Sequence, residues 1–431
     1  MKKLCVFSTL FLALLSGASA AAEVRVLTLR QAVDMALAQN PDVLLARLDQ
    51  QKARGQVTLQ RDPFVPKMFA GSGIAYTNGF PATIDGSAPS IVQARANMAL
   101  FNRPQNYLVA QAQEGVRGAG AEIGRRQEEV VYRVSSLYLD AEQAARSLET
   151  AQRQSASLVR VRELMEQRVA EGRELALEAK KANLAVLRAN QAVDALGLNL
   201  LNAETSLALT LGLSPDDRVR PAAGERAAIE GPVSEDASIE QALTSSNERK
   251  SLESNIQAKT LEVKSYQAER LPKINLIAQY SLLGKYNNYE QFFRAFQRNN
   301  GQIGASIEIP VLVGRVASAQ KSQAEADIAK LRIEVGRTRS RIAADLRAAY
   351  QNVKRSDAAR DVARADLDVA REELTVDLAQ MDEGRMPVAR VEAARATENE
   401  KWLAYYEAQH ASDLARVNVL RYTGTLEAAI H

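Results

Sequence analysis

The sequence predicts an all-α dominated chain with a smaller β part, built by internal duplication. Three observations predict it. Landmarks recur at a fixed offset of 212 residues: Tyr138 as Tyr350, Glu171-Gly172-Arg173 as Glu383-Gly384-Arg385, and Gly212 as Gly424. Two stretches without internal proline, Pro104 to Ala170 and Val316 to Glu383, would each span about 100 Å if helical throughout. Ahead of each stretch the apolar period drops to two, which is the mark of strands. The constant offset matters because rigid helices tolerate insertions badly and loops tolerate them well. A duplicated, Ala-rich helical unit with short strands is the pattern of a long conduit rather than of an enzyme.

Residues 1–20 are predicted to be a secretory signal. Lys2 and Lys3 give the positive start, Leu4 to Leu15 the apolar core, and Gly17-Ala18-Ser19-Ala20 the small-residue cleavage site. The apolar run is too short for a membrane anchor. Cys5 lies inside the segment and leaves with it, so the mature chain has no thiol chemistry. No later stretch approaches 18 consecutive apolar residues, which excludes an inner-membrane transporter. A β-barrel is not excluded, because its strands alternate; the mean hydropathy of −0.24 fits either case. The formal charge of +3 gives no support to a nucleic-acid partner. His410 and His431 are the only histidines, so neither a transition-metal site nor a cofactor is predicted. Walker and Rossmann glycine patterns are missing, and an energy source would belong to a partner.

The first repeat is expected over 21–213 and the second over 239–425, with a tail at 426–431. The first opens with Leu29-Arg30-Gln31-Ala32 and Asn40-Pro41-Asp42. Thr28 is its predicted N-cap, and Pro41 sits where a new helix begins. The second opens with Ile239-Glu240-Gln241-Ala242 and Asn247-Glu248. Both run helically to a proline-marked exit, Phe64-Val65-Pro66 and Leu271-Pro272. Residues 214–238, with Pro215, Pro221, Gly224, Gly231 and Pro232, read as an inter-repeat linker.

A β-hairpin is predicted in each repeat, over 64–102 and 272–310. Val92, Ala94, Ala96, Met98 and Leu100 alternate with Gln93, Arg95, Asn97 and Ala99. Ile303, Ala305, Ile307 and Ile309 alternate with Gln302, Gly304, Ser306 and Glu308, and Ile274, Leu276, Ala278 and Tyr280 form a further apolar row. Met68 to Tyr76 is Gly-rich and alternates less cleanly. Strands of roughly 9–12 residues are long enough to cross an apolar layer when tilted. Arg95 and Glu308 fall on the polar face. In a barrel they would face a wet lumen; in a sandwich they would face solvent. Four strands do not close a wide pore, and open edges are not tolerated in lipid, so a membrane barrel would need strands from several chains. The loop carrying Tyr286, Tyr289, Phe292, Phe293 and Phe296 suits either a membrane interface or a packed surface.

Helical hairpins are expected over 104–211 and 314–422. Seven-residue steps, Val335, Ile342 and Ala349 together with Leu346 and Val353, suggest coiled-coil support. A sheath of helices around a space fits this composition better than a solid globule. The hairpins turn at the duplicated Glu-Gly-Arg, where Gly172 and Gly384 suit left-handed conformations. Pro387 fits the opening turn of the next helix. Arg173 and Arg385 either pair with a partner's carboxylates or cap their own helix ends.

Taken jointly, these elements resemble the TolC-type outer membrane efflux protein family, over the whole mature chain to about residue 425. The resemblance implies a homotrimer. Each protomer would give four strands to a 12-stranded outer-membrane β-barrel, and its long hairpins would form a periplasmic α-barrel. It implies an outer-membrane channel of a tripartite efflux or type I secretion system in a Gram-negative bacterium. Such a channel works passively, with a periplasmic adaptor and an inner-membrane pump or exporter as partners, besides outer-membrane lipid. It also implies that the turns at Gly172, Arg173, Gly384 and Arg385 meet the adaptor. The family's aspartate ring after the second turn has no counterpart here. Arg390 and Ala393 stand at its positions, Glu392 is the nearest carboxylate, and Glu174 and Glu178 are the first repeat's acids. An aperture of mixed charge, with Arg390 pairing an acid of the neighbouring hairpin, is one expectation; Arg390 facing water is the other. The competing reading is a secreted or periplasmic helical-bundle scaffold without a pore.

Overall fold

The computed structural model describes residues 24–73, 90–222, 234–283, 297–311, 314–383 and 385–431. The signal segment, the five loop aromatics, Gly224, Gly231, Pro232 and Gly384 lie outside the described residues. Among those described, no helix is long and apolar enough to cross a membrane.

The first repeat runs β1 (Val24–Leu27), α1 (Leu29–Gln39), α2 (Pro41–Arg61), β2 (Lys67–Gly73), β3 (Ser90–Phe101), α3 (Arg103–Ala170), α4 (Ala176–Thr210) and β4 (Arg218–Pro221). The second runs α5 (Glu235–Ser245), α6 (Asn247–Ala268), β5 (Lys273–Leu283), β6 (Asn299–Glu308), α7 (Arg315–Asp382) and α8 (Val388–Thr423), closed by α9 (Leu426–Ile430). The long helices α3 and α7 are 68 residues each. They start 212 residues apart, at 103 and 315. Most elements before them start only 206 apart, α1 and α5 at 29 and 235, β2 and β5 at 67 and 273, whereas β3 and β6 start 209 apart, at 90 and 299. The difference sits mainly at the strand-to-helix joint. Asn102 alone links β3 to α3, whereas residues 309–314 lie between β6 and α7. Helical packing fixed the length of one part of the repeat and left the joint free to vary.

Local chemistry accounts for the ends of the short helices. Thr28 and Gln31 form a capping box: the Gln31 amide donates to Thr28 Oγ1 at 3.3 Å, and the Thr28 amide donates to Gln31 Oε1 at 3.0 Å. Asn40 ends α1 and starts α2. Its Oδ1 accepts from the Asp42 amide at 2.8 Å, while its Nδ2 donates to the Thr210 carbonyl at 2.7 Å. Pro41 is the first residue of α2, where its missing N–H costs nothing. Pro387 differs from expectation by one place. It is the N-cap of α8, extended at φ −72° and ψ 145°, and it offers its carbonyl to the Arg390 amide at 3.0 Å. The 214–238 stretch is also more than linker, since it contains β4 and the start of α5.

The chain divides into two compact units. One comprises the described parts of 1–44, 126–245 and 342–431. Its core joins Val33, Ala36 and Val43 to Val130, Val131 and Val134 of α3, Leu207 and Leu211 at the end of α4, and Val417 of α8. Strand β1 pairs in parallel with β4, from Val24 opposite Arg218 to Leu27 opposite Pro221. The duplicated tyrosines do the same work in both repeats. Tyr138 donates to the Leu27 carbonyl just ahead of α1 (3.3 Å), and Tyr350 donates to the Ser234 carbonyl just ahead of α5 (3.2 Å). Gly212 has φ +81°, and a Cβ there would stand 3.0 Å from the Gln39 carbonyl oxygen; both conformation and space require glycine. Ile342, Leu346 and Ala349 pack in a second cluster with Ala242 and Val419, and Val353 lies against it, so those seven-residue steps mark a buried stripe.

The other unit comprises 45–125 and 246–341. It holds a four-stranded antiparallel sheet in the order β2-β3-β5-β6, so the two hairpins meet along β3 and β5. Side-chain bonds tie helices to the base of this sheet. Gln105 donates to the Gln60 carbonyl at 2.6 Å, and Ser265 donates to the Pro104 carbonyl at 3.1 Å.

Candidate functional site

Cross-strand register sorts the sheet into two faces of opposite character. Directly opposed residues share a face. One row sets Ala94 opposite Tyr280, Ala96 opposite Ala278, and Met98 opposite Leu276. It continues with Ile274 opposite Ile307, Leu276 opposite Ala305, and Ala278 opposite Ile303. The other row sets Gln93 opposite Ser281, Arg95 opposite Gln279, and Ala99 opposite Asn275. It continues with Gln279 opposite Gln302, Asn275 opposite Ser306, and Lys273 opposite Glu308. Ile277 and Phe69 are the large apolar members of the polar face, Ile277 opposite Asn97 and Gly304, and Phe69 opposite Arg95. Among the described residues nothing covers the apolar face: Met68, Val92, Leu100, Ile303 and Ile307 are all exposed, Ile303 by 78%. A continuous exposed apolar sheet face in a monomer needs an apolar neighbour. Strands β2 and β6 are edges, each paired on one side only.

The two hairpin turns match each other. The Arg173 amide donates to the Arg168 carbonyl at 2.8 Å, and the Arg385 amide to the Gln380 carbonyl at 2.9 Å. These are the long bonds of a helix-ending glycine motif, and Gly172 takes the left-handed conformation it requires, φ +71°. Each turn also closes its own ion pair: Arg173 with Glu171 at 3.2 Å, and Arg385 with Glu383 at 3.1 Å. All four side chains are largely in solvent, so these pairs hold little energy and are readily exchanged. Glu174 is exposed beside the first turn, and Glu178 pairs with Lys181 one turn along the same helix, at 2.8 Å.

The residues expected at an aperture have local partners. Arg390 is 66% exposed and reaches Asp377 at 3.5 Å. That acid is on α7, the other arm of Arg390's own hairpin, and not on a neighbouring one. Glu392 is mostly covered. It accepts from Arg395 at 3.1 Å, and the same guanidinium nitrogen donates to Ser157 Oγ of α3 at 3.1 Å. Burial raises the Glu392 pKa, and the Arg395 charge opposes the rise without cancelling it. Arg395 therefore joins α8 to α3, and Glu392 is its partner within α8 rather than a bare acid. The Arg390–Asp377 pair was invisible in sequence because its partners are brought together only by the hairpin's register.

Farther along the same hairpin Asp357 of α7 accepts from Ser412 at 2.5 Å and from Arg416 at 2.9 and 3.1 Å. Burial opposes its ionisation. The Ser412 hydroxyl and the Arg416 and Arg360 guanidinia outweigh that and hold its pKa below the ordinary aspartate value. A lowered pKa stabilises the fold above the ordinary aspartate range, and that contribution is lost as pH falls through the folded value. The apparent melting temperature of Asp357→Asn should accordingly lie below wild type near neutrality, with the difference shrinking on acidification. A constant difference from neutral to acid pH would contradict this.

A two-faced sheet with open edges and duplicated long helical hairpins is also the fold of solved outer-membrane channels. Similarity to known proteins points the same way. Residues 32–213 match the family model described as Outer membrane efflux protein. The match falls within the first repeat. No curated protein sequence matches the chain. Among solved structures, the Campylobacter jejuni CmeC outer membrane channel superposes with a TM-score of 0.74 at 13% identity, covering 92% of this chain and 86% of that one. The Vibrio cholerae outer membrane protein VceC gives 0.70 at 15%, covering 92% and 96%. The open state of the Neisseria gonorrhoeae MtrE outer membrane channel gives 0.70 at 14%, covering 92% and 88%. Sequence carries the family through the first repeat, and fold carries the likeness through the second.

Proposed function

We propose that this chain is the outer-membrane channel of a tripartite efflux or type I secretion system. It assembles as a homotrimer and passively conducts substrate delivered by a periplasmic adaptor and an inner-membrane pump. The observation that carries this reading is the sheet's pair of faces. An apolar face without cover suits lipid, a polar face suits a water-filled bore, and edges β2 and β6 suit pairing with the next protomer's edges. Three protomers of four strands make twelve. Exposed aliphatics at seven-residue steps support helix packing between copies: Val362, Val369 and Val376 on α7, with Leu177 and Leu184 on α4. The turns at Gly172-Arg173 and Gly384-Arg385 are the adaptor contacts in this reading, and the weak ion pairs of the exposed Arg173 and Arg385 leave them free to exchange Glu171 and Glu383 for adaptor carboxylates. No covalent step is assigned to any residue. Energy and direction come from the pump.

The test is reconstitution. Detergent-purified protein should have three times the protomer mass and produce discrete conductance steps in planar bilayers. It should also co-purify from membranes with an adaptor and a pump. A compact monomer stable without detergent, giving no conductance, would instead support the scaffold reading.

A further inference from the structure

The polar face of the sheet carries an unbalanced charge at mid-height. Arg95 is near the centre of β3, between Phe69 of β2 and Gln279 of β5. Gln279 faces Gln302 of β6, and the two amides are bonded at 3.3 Å. That level of the sheet thus holds one ring, two neutral amides and one exposed guanidinium. The neighbouring levels on the same face bring Gln93 with Ser281, and Asn97 with Ile277. The remaining charges of the face are matched. Lys67 pairs with Asp62, and Lys273 stands opposite Glu308 at the sheet's end. Among the described residues, Arg95 has no carboxylate beside it.

We propose that Arg95, repeated by each protomer around the barrel, makes the bore prefer anionic solutes such as carboxylates, phosphates and sulfonates at that level. The proposal rests on the channel reading and adds the charge class of what passes. A ring of like charges inside low-dielectric walls focuses its field on the bore, raising the local concentration of counter-ions and lowering that of co-ions. The surrounding amides add hydrogen bonds and no opposing charge. Arginine also retains its charge at any physiological pH and offers paired donors to a carboxylate or phosphate.

The field is measured at the level where it acts, so that a narrow periplasmic end has no influence. A cysteine is placed by Gln279→Cys in the assembled protein, with Cys5→Ser removing the chain's only other thiol. Methanethiosulfonates bearing a sulfonate or a trimethylammonium group are then added from the outer side. The ratio of their rates is normalised to the ratio on free 2-mercaptoethanol; any change in thiolate fraction cancels. Two unit charges about 6 Å apart in water attract or repel enough to move that ratio about tenfold at low salt. Arg95→Gln should lower the sulfonate preference by about that factor, Arg95→Glu should invert it, and Arg95→Lys should retain it. The differences should shrink in 1 M salt, where the screening length falls to about 3 Å. An equal ratio in wild type, Arg95→Gln and Arg95→Glu, with the thiol reacting in each, would overturn the proposal and leave the channel intact. A thiol at position 279 that reacts with neither reagent would show a dry face, and both readings would fall together.

Discussion

Ile303→Arg is expected to abolish the assembled outer-membrane form, while Gln302→Arg, one residue away, leaves it in place. The two positions are adjacent on β6 and point to opposite faces. Ile303 is 78% exposed in the protomer and stands opposite Ala278, with Ile307 and Ala305 in the same row. On the proposed reading it faces lipid near the middle of its strand. An arginine at the bilayer midplane of a β-barrel costs about 2–4 kcal/mol, and a trimer carries the penalty three times. Gln302 faces Gln279 across the polar row, where an added charge meets water and amides. The amount of heat-modifiable trimer in outer-membrane fractions of the two variants measures the contrast. Equal abundance of trimer in both would mean that the sheet does not divide lipid from water, and an uncovered apolar face would then have to bind something else.

What the sequence disclosed, and what it kept hidden, follows from the reach of each signal. The sheet's faces were legible because side chains alternate with period two, so Ile303 and Gln302 declare their sides without any knowledge of the partner strand. The cap at Thr28 was legible because its bond closes within three residues. The level of Arg95 beside Gln279 and Gln302 was not, since register depends on how β3, β5 and β6 are aligned. Strands β1 and β4 escaped notice for two reasons. Each has four residues, too few for a period, and β4 ends on Pro221 in a stretch whose composition reads as linker. The 212-residue offset concealed the shorter 206-residue spacing because Tyr138, Gly172 and Gly212 all follow the joint, although the proline exits ahead of it, Pro66 and Pro272, lie 206 apart. The partner of Arg390 was hidden likewise. Asp377, and the Ser157 that Arg395 reaches, are assigned by packing between helices, to which charge spacing along one helix is blind.

The same duplicated helix position carries opposite charges in the two repeats, and that difference sets up the second large effect. Glu204 in α4 corresponds to Arg416 in α8, 212 residues on. Arg416 finds Asp357 across its hairpin. Glu204 has no such cation there and is instead met by Arg220 of β4, whose Nε donates to its Oε1 at 2.6 Å. The Glu204 residue is 1% exposed, while Arg220 keeps much of its side chain in water. The hydrogen bond to Glu204 raises the Arg220 pKa most; burial opposes the rise, and the carboxylate's charge adds to it. The pair is therefore asymmetric. Arg220 gives up little hydration, and Glu204 gives up nearly all of its own. Arg220→Ala should consequently destabilise the chain by about 2–4 kcal/mol, chiefly because it strands a buried carboxylate, and β4 should detach from β1 with it. The double variant Arg220→Ala with Glu204→Leu should recover most of that loss, since an apolar side chain in a dry site needs no partner. Thermal unfolding of the detergent-purified protein, followed by far-ultraviolet circular dichroism, gives both numbers on one scale. Glu204→Leu alone should fall between the two, because it leaves Arg220 half in water and hardly penalised. A double variant as unstable as Arg220→Ala would mean that the arginine acts through its packing on β4 and not through the charge it covers.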